Sequence, residues 1–195
     1  MPSRKPLPAH PEPALSHVEG ALEGRAAFPS PVLTFHLCET ALGWVGLVPS
    51  PRGLRAATLP RPTRADALRE VLELGAAEPA SDAGLGELPE RIRALAESRG
   101  DADGIGIDWA GITGFRRAVL EETLRIPAGQ TRTYGWLAAR VGRPRAARAV
   151  GRVMATNPLP LVIPCHRVVG ADGSLRGYGG GLRMKDRLLK AEGAR

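Results

Sequence analysis

Thr133 to Ala155 reads TYGWLAARVGRPRAARAVGRVMA. The Thr133 hydroxyl offers an N-cap to a short helical run from Tyr134 to Val141, and Gly142 supplies the residue that closes such a helix. Gly142 to Arg145 predicts a tight turn, after which Ala146 to Ala155 resumes helical spacing until Asn157-Pro158 stops it. Two short helices joined by a glycine-containing turn form the helix-turn-helix pattern. The second helix has little bulk, with Ala146, Ala147, Ala149 and Gly151, while Arg145, Arg148 and Arg152 supply charge. Small residues serve either helix packing or close approach to a partner surface, where an arginine projects into a groove.

The next stretch bears on that choice. Leu159 to Val169 reads LPLVIPCHRVV. The apolar run Leu161 to Ile163 predicts a short buried strand that ends at Pro164, because proline has no amide hydrogen to continue a ladder. Cys165 is thereby expected at a strand end, beside His166 and Arg167, where cationic surroundings stabilise the nucleophilic thiolate. A free cysteine is also among the most buried and inert residue types. The basic, low-profile helix lying within ten residues of Pro-Cys-His-Arg favours a DNA-facing element set beside a nucleophile.

Charge agrees with this reading. Residues 1 to 112 hold 11 Lys and Arg against 15 Asp and Glu, whereas residues 113 to 195 hold 16 against 5, so the halves carry −4 and +11. A basic C-terminal half suggests a polyanionic partner, although a solvated arginine-rich surface has the same composition. With 43% hydrophobic residues, the chain is that of an ordinary globular protein. It lacks both an apolar run of about eighteen residues and a signal-peptide pattern, so a cytoplasmic location and no membrane association are expected. Two cysteines, Cys38 and Cys165, are too few for a disulfide framework.

Residues 1–31, rich in Pro, Ala and Glu, read as a disordered tail. From Val32 three β-prone segments, VLTFHLCET, ALGWVGLVPS and LRAATLP, predict a small antiparallel meander. His36 and Cys38 fall on one strand face, but with no second such pair nearby they read as core packing, and no metal site is expected. Thr63 caps a helix over Arg64 to Leu74, a second helix covers Leu88 to Ser98, and Arg99 to Gly106 reads as an exposed link. The expected organisation is a tail (1–31), a strand-rich domain (32–106) and a helical domain (107–195). The latter opens with Ile107-Asp108-Trp109, after which Phe115, Val119, Leu120 and Leu124 give a helix with one apolar face.

The segment from Gly114 to Gly193 resembles the methylated-DNA-protein-cysteine methyltransferases, also called O6-alkylguanine-DNA alkyltransferases. The resemblance is carried by Thr133-Tyr134-Gly135, Ala147-Arg148-Ala149-Val150-Gly151, Asn157-Pro158 and Ile163-Pro164-Cys165-His166-Arg167-Val168. Gly177 to Leu182, Leu188-Leu189 and Glu192-Gly193 follow in the family's order. It implies an α/β (α+β) fold in two domains: a small ribonuclease H-like antiparallel sheet domain with helices, then a winged helix-turn-helix-type domain. It implies repair of O6-alkylguanine and O4-alkylthymine in duplex DNA, with the alkyl group kept permanently on Cys165, by a monomer needing no cofactor.

By the same resemblance His166 acts through a water as base, Glu192 orients His166, Tyr134 gives a proton to the leaving guanine, and Asn157 ties the turn near the thiol. Arg148 fills the gap left by a flipped nucleotide, from the minor-groove side, with Ala147, Ala149, Gly151, Arg145, Arg152 and Thr133 along the DNA contact. Met154, Val168, Tyr178, Gly179 and Gly180 form the base pocket, and Lys185 has a supporting role. Two other classes fit parts of the sequence: a non-reactive lesion-binding relative, disfavoured because Cys165 is present, and a cysteine hydrolase, disfavoured for want of an oxyanion hole.

Overall fold

The computed structural model describes residues 33–80 and 84–195. The expected tail, 1–31, lies outside them. Strands β1 (Leu33–Thr40), β2 (Gly43–Ser50) and β3 (Gly53–Ala57) form the expected antiparallel meander. A fourth strand, β4 (Ala76–Pro79), adds to β1 in parallel and gives the order β3-β2-β1-β4. β4 escapes sequence reading because Ala-Ala-Glu-Pro has neither alternation nor β-branched residues.

Between β3 and β4 lies α1 (Arg64–Glu73), whose first turn is capped by the Thr63 hydroxyl accepting from the Asp66 amide at 3.1 Å. Its buried Ala67 and Val71 rest on the sheet so closely that a β-carbon at Gly46 of β2 would come within 2.2 Å of Val71. Helix α2 (Leu88–Ala96) sets Ile92 and Leu95 into a core shared with Cys38, Val45, Leu47 and Leu54. That core continues without a break into Leu120, Leu137, Val150, Leu159, Ile163 and Leu188. Each such side chain, fully withdrawn from water, contributes about 1.5–3 kcal/mol.

The link over Arg99 to Gly106 returns to the sheet at its end. The Leu54 amide donates to the Gly106 carbonyl at 2.8 Å, and the Asp108 amide donates back to Leu54 at 3.0 Å. Asp108, 2% exposed, then accepts from Ser50 Oγ, Arg52 Nε and the Ala110 amide. These bonds, led by the Ala110 amide, hold its carboxyl below the usual range despite burial. A buried carboxylate so satisfied fixes where the second half of the chain starts.

That half comprises α3 (Gly114–Leu124), β5 (Arg132–Thr133), α4 (Tyr134–Arg140), α5 (Ala147–Ala155), β6 (Val168–Val169) and α6 (Leu182–Ala191). The Thr133 hydroxyl accepts from the Trp136 amide at 3.0 Å, as its position before α4 predicts. Gly142 has φ +71°, and the Arg143 amide closes onto the Ala138 carbonyl at 2.8 Å, so the chain turns sharply into α5. The two-residue strands β5 and β6 pair in parallel, Arg132 with Val168 and Thr133 with Val169. This pairing anchors the start of α4 beside the segment that follows Cys165.

The predicted strand over Leu161 to Ile163 is absent. These residues form turns, with Leu161 at φ +72°. The Asn157 side chain accounts for the difference: its oxygen accepts from the Leu159 amide at 3.1 Å and its nitrogen donates to the Ile163 carbonyl at 2.8 Å. The Ile163 amide then donates to Leu159, and Pro158, Pro160 and Pro164 have no amide hydrogens to offer a ladder. Apolar content identified burial here but not backbone conformation.

Candidate active site

Cys165 opens a single turn of 3-10 helix, Cys165–Arg167, held by its own amide on Ile163 at 2.7 Å and the Arg167 amide on Pro164 at 2.9 Å. The thiol is 6% exposed and lies at the base of a cleft of about 750 Å3. α4 contributes Tyr134 and Gly135; α5 contributes Ala147, Arg148, Gly151, Met154 and Ala155. The far wall is the loop after β6, with Gly170, Ala171, Arg176, Gly177, Tyr178 and Gly179. Asn157 and Pro160 also line it, as does Leu59 from just beyond β3.

The expectation that cationic neighbours make a resting thiolate does not hold. Burial pushes the thiol up from its ordinary value, and this outweighs the pull of the Asn157 amide and the Lys185 ammonium in the other direction. The sulfur therefore rests as a thiol and needs a base.

His166 has the properties of that base. Its ring is 2% exposed, and burial is the largest influence on it, pushing it below the ordinary histidine value in spite of Glu192. It is neutral near pH 7. Glu192 Oε1 lies 2.9 Å from His166 Nε2. Burial by itself would raise the Glu192 carboxyl, but bonds from His166 and Arg167 overcome it and hold the group at about 2. An ionised carboxylate is purely an acceptor, so Nε2 carries the ring hydrogen and Nδ1 keeps a lone pair. Nδ1 is buried and has no hydrogen-bond partner among the described residues.

Arg167 completes the arrangement. Its Nε and Nη2 donate to the two Glu192 oxygens at 2.9 and 2.8 Å, and its Nη1 donates to the Ile126 carbonyl at 2.6 Å. The fork fixes the carboxylate and weakens its pull on the imidazole, which keeps His166 uncharged. In the sequence Arg167 registers only as a positive neighbour of the thiol. Its real partner is 25 residues away.

The small-residue face of α5 is turned outward. A β-carbon at Gly151 would meet nothing within 4 Å among the described residues, and Ala155 is exposed, so these positions are not required for packing within them. Arg148 is exposed on the cleft rim, while Arg145 and Arg152 are exposed and Ala149 is half-buried, all three away from the cleft lining. The Thr133 hydroxyl is engaged in capping α4.

Of the expected pocket residues, Met154, Tyr178 and Gly179 line the cleft, and Val168 and Gly180 do not. Val168 is completely buried, its carbonyl accepting from Lys185 Nζ at 2.5 Å. At Gly180 a β-carbon would meet Met184 sulfur at 2.4 Å, and at Gly179 it would meet Leu59 at 2.8 Å, so both glycines permit close packing. The hydroxyl of Tyr178 is buried without a partner among the described residues, and burial first, then Cys165, raises its pKa. Tyr134 is raised by the same two influences. Both phenols therefore keep their protons, available for donation.

Residues 114–194 match the family model described as the DNA-binding domain of 6-O-methylguanine DNA methyltransferase. A methylated-DNA–protein-cysteine methyltransferase of Salmonella typhimurium is 52% identical over 83 residues, covering 43% of this chain and 48% of that protein. Its namesake from Mycobacterium leprae is 51% identical over 88 residues, 45% of this chain and 53% of that one. The chain thus spans about half the length of the curated relatives it matches. The crystal structure of Mycobacterium tuberculosis O6-methylguanine methyltransferase superposes with a TM-score of 0.68 at 30% identity, over 84% of this chain and 94% of that one. A structure of the M. tuberculosis protein in complex with DNA gives a TM-score of 0.66 at 30% identity, over 82% and 92%.

Proposed function

The chain belongs to the O6-methylguanine-DNA methyltransferase family, and from this premise we propose that it repairs O6-alkylguanine, and O4-alkylthymine, in duplex DNA by moving the alkyl group onto Cys165. The observation that carries the proposal is the placement of a buried thiol at the base of a cleft whose rim is the small-residue face of α5. An alkylated oxygen within a base stack cannot reach such a sulfur, so the nucleotide must be rotated out into the cleft.

Once there, His166 Nδ1 takes the thiol proton through a water. The sulfur forms a bond to the alkyl carbon as that carbon's bond to the base oxygen breaks, and Tyr134 supplies a proton as the base leaves. Glu192 and Arg167 hold the imidazole in the required tautomer, and Asn157 keeps the turn carrying Cys165 in register. The thioether is inert to water, so each molecule acts once, with no cofactor and no metal. The same reading divides the chain at residue 106 into a ribonuclease H-like part and a winged helix-turn-helix part, acting as a cytoplasmic monomer.

The test is to mix the protein with an oligonucleotide containing one O6-methylguanine and determine the intact mass. Gain of one methyl on Cys165, stoichiometric and permanent, is the expected result. Tight binding with unchanged mass would instead indicate a lesion sensor, and turnover of an ester or amide a hydrolase.

The proton inventory predicts the pH dependence. The reactive pair is a neutral imidazole and a neutral thiol, so the rate falls only where one of them changes state. The acid limb is expected below pH 6.5, since burial depresses His166, with a flat region extending up to the raised titration of the thiol. Single-turnover rates from pH 5 to 9 check this, and a limb above 6.5 would remove His166 from the role of base.

Arg148, exposed on α5, is assigned to fill the vacated stack. Arg148→Ala is expected to slow repair in duplex by about tenfold or more while affecting transfer from the free base much less, because extrusion costs a few kcal/mol only in a stack. Equal losses on the two substrates would contradict the assignment. Binding of the duplex should also weaken steeply with added salt, as cations on the basic half displace counterions.

A further inference from the structure

Trp136, on the first turn of α4, is 38% exposed, one of the few large apolar side chains among the described residues that solvent reaches so freely. Nothing in the proposed alkyl transfer uses it. Its ring is flanked by two guanidiniums, Arg132 at 5.2 Å and Arg140 at 5.5 Å from the centroid. Such stacking occupies the flat face of a guanidinium and leaves its N–H edge free to meet an anion.

Both arginines are held from behind. Arg132 pairs in register with Val168, just past the Cys165 turn, and its Nη1 and Nη2 donate to the Thr131 carbonyl at 2.9 Å and to Gln130 Oε1 at 2.6 Å. Arg140 Nε donates to Glu122 Oε1 at 2.7 Å, and Arg125 Nη1 donates to Glu122 Oε2 at 2.8 Å. Burial by itself would raise the Glu122 carboxyl, but the bonds from Arg140 and then Arg125 hold it below the usual range, so it stays ionised. Both Nη groups of Arg140 are left without an acceptor among the described residues. The patch of three guanidiniums and one carboxylate therefore keeps a net charge of +2, and the sequence has no other acid between Glu122 and Asp172.

The patch adjoins the cleft, since the two residues before Trp136, Tyr134 and Gly135, line it. In a helix-turn-helix the first helix crosses the phosphate backbone while the second enters a groove. We infer that Arg132, Trp136 and Arg140 grip the phosphodiester backbone of the strand that carries the lesion, beside the nucleotide turned into the cleft. The inference rests on the DNA-repair reading above and adds to it a second contact, on α4, that α5 does not supply. A phosphodiester offers two unesterified oxygens to the planar fork of a guanidinium, and the indole keeps that fork from wandering. Because Arg132 is paired with Val168, a phosphate held there is fixed in relation to the Cys165 sulfur.

The experiment uses the full chain with R132Q and W136A; Arg140 is left in place because it also satisfies the buried Glu122. On an unmodified duplex, the slope of log binding constant against log salt is expected to become shallower by about 0.9 in R132Q, the loss of one phosphate contact. W136A, which removes the plate and no charge, should keep the slope and weaken binding about threefold, the scale of an exposed cation–π contact. The strand is then identified with O6-methylguanine duplexes carrying single uncharged methylphosphonate linkages. Those beside the lesion on its own strand should weaken wild-type binding about threefold, as for an exposed ion pair, and R132Q not at all. A slope unchanged in R132Q overturns the inference, as does an affinity unchanged in W136A or coupling confined to the complementary strand. So does a loss of self-association with DNA binding intact, because a second copy of the chain would then be what the patch holds. If the wild-type chain takes no methyl from the lesion duplex, the transferase reading fails by itself, since the salt slope on the unmodified duplex is still read.

Discussion

Cys165→Ala is expected to abolish alkyl transfer altogether: no mass gain on any residue after prolonged incubation with the lesion duplex. No other group lining the cleft can substitute, since Tyr134 and Tyr178 hold their protons more tightly than a free phenol. The cost to folding should be small. Exchanging a 6% exposed sulfur for hydrogen removes one packed atom, about 1 kcal/mol. Duplex affinity should stay within about twofold, because the contact helix α5 and the substituted position are separate elements and such effects add independently. Loss of binding along with transfer would mean that the turn at Cys165 and the surface of α5 are one cooperative unit.

Glu192→Gln is the second large effect, and it acts on both chemistry and stability. In the wild type one carboxylate serves two buried partners, His166 and Arg167. The amide retains one acceptor oxygen but no charge, leaving the 9% exposed Arg167 without its counter-ion, which is expected to cost about 3 kcal/mol in urea unfolding. Transfer should slow by about a hundredfold, the lower range for loss of an oriented general base.

Two pH measurements distinguish positioning from mere scaffolding. Glu192 raises His166, so its removal should move the acid limb of the rate further down. The Glu192 carboxyl lies at about 2 in the folded chain against 4.5 ordinarily, so it binds its proton less readily folded than unfolded. Its stabilisation is complete above pH 4.5 and is lost as pH falls toward 2; the variant should lack that component of acid sensitivity. A limb that stays in place would reduce Glu192 to a structural brace.

Much of the chain was legible residue by residue where local rules govern. Thr63 and Thr133 cap the helices they precede, Gly142 closes α4, and the periodicity of Leu88 to Ser98 lands Ile92 and Leu95 in the core. The failures share a cause: in each, a distant partner overrides the local preference. Leu161 to Ile163 has strand composition, yet the Asn157 amide folds it into turns. Val168, expected as a pocket wall, instead holds Lys185 with its carbonyl, and burial keeps the thiol protonated against its cationic neighbours. Leu59 and Arg176 carry no local signal, since a proline-flanked apolar residue and a loop arginine are commonplace. Packing of the two halves brings Leu59 to the sulfur, and the turn of the chain after β6 brings Arg176.

The amide of Ala57, at the end of β3, donates to the Pro158 carbonyl at 2.8 Å, and Leu59 fills the space left by Gly179. The segment that contains every recognisable reactive motif is therefore propped from outside itself. A chimera that took its N-terminal half from an unrelated scaffold would have to reproduce one backbone donor and one branched apolar side chain at those places. Neither requirement would be noticed by anyone grafting motifs alone, and a transplant lacking them would present the right nucleophile on a misplaced ledge.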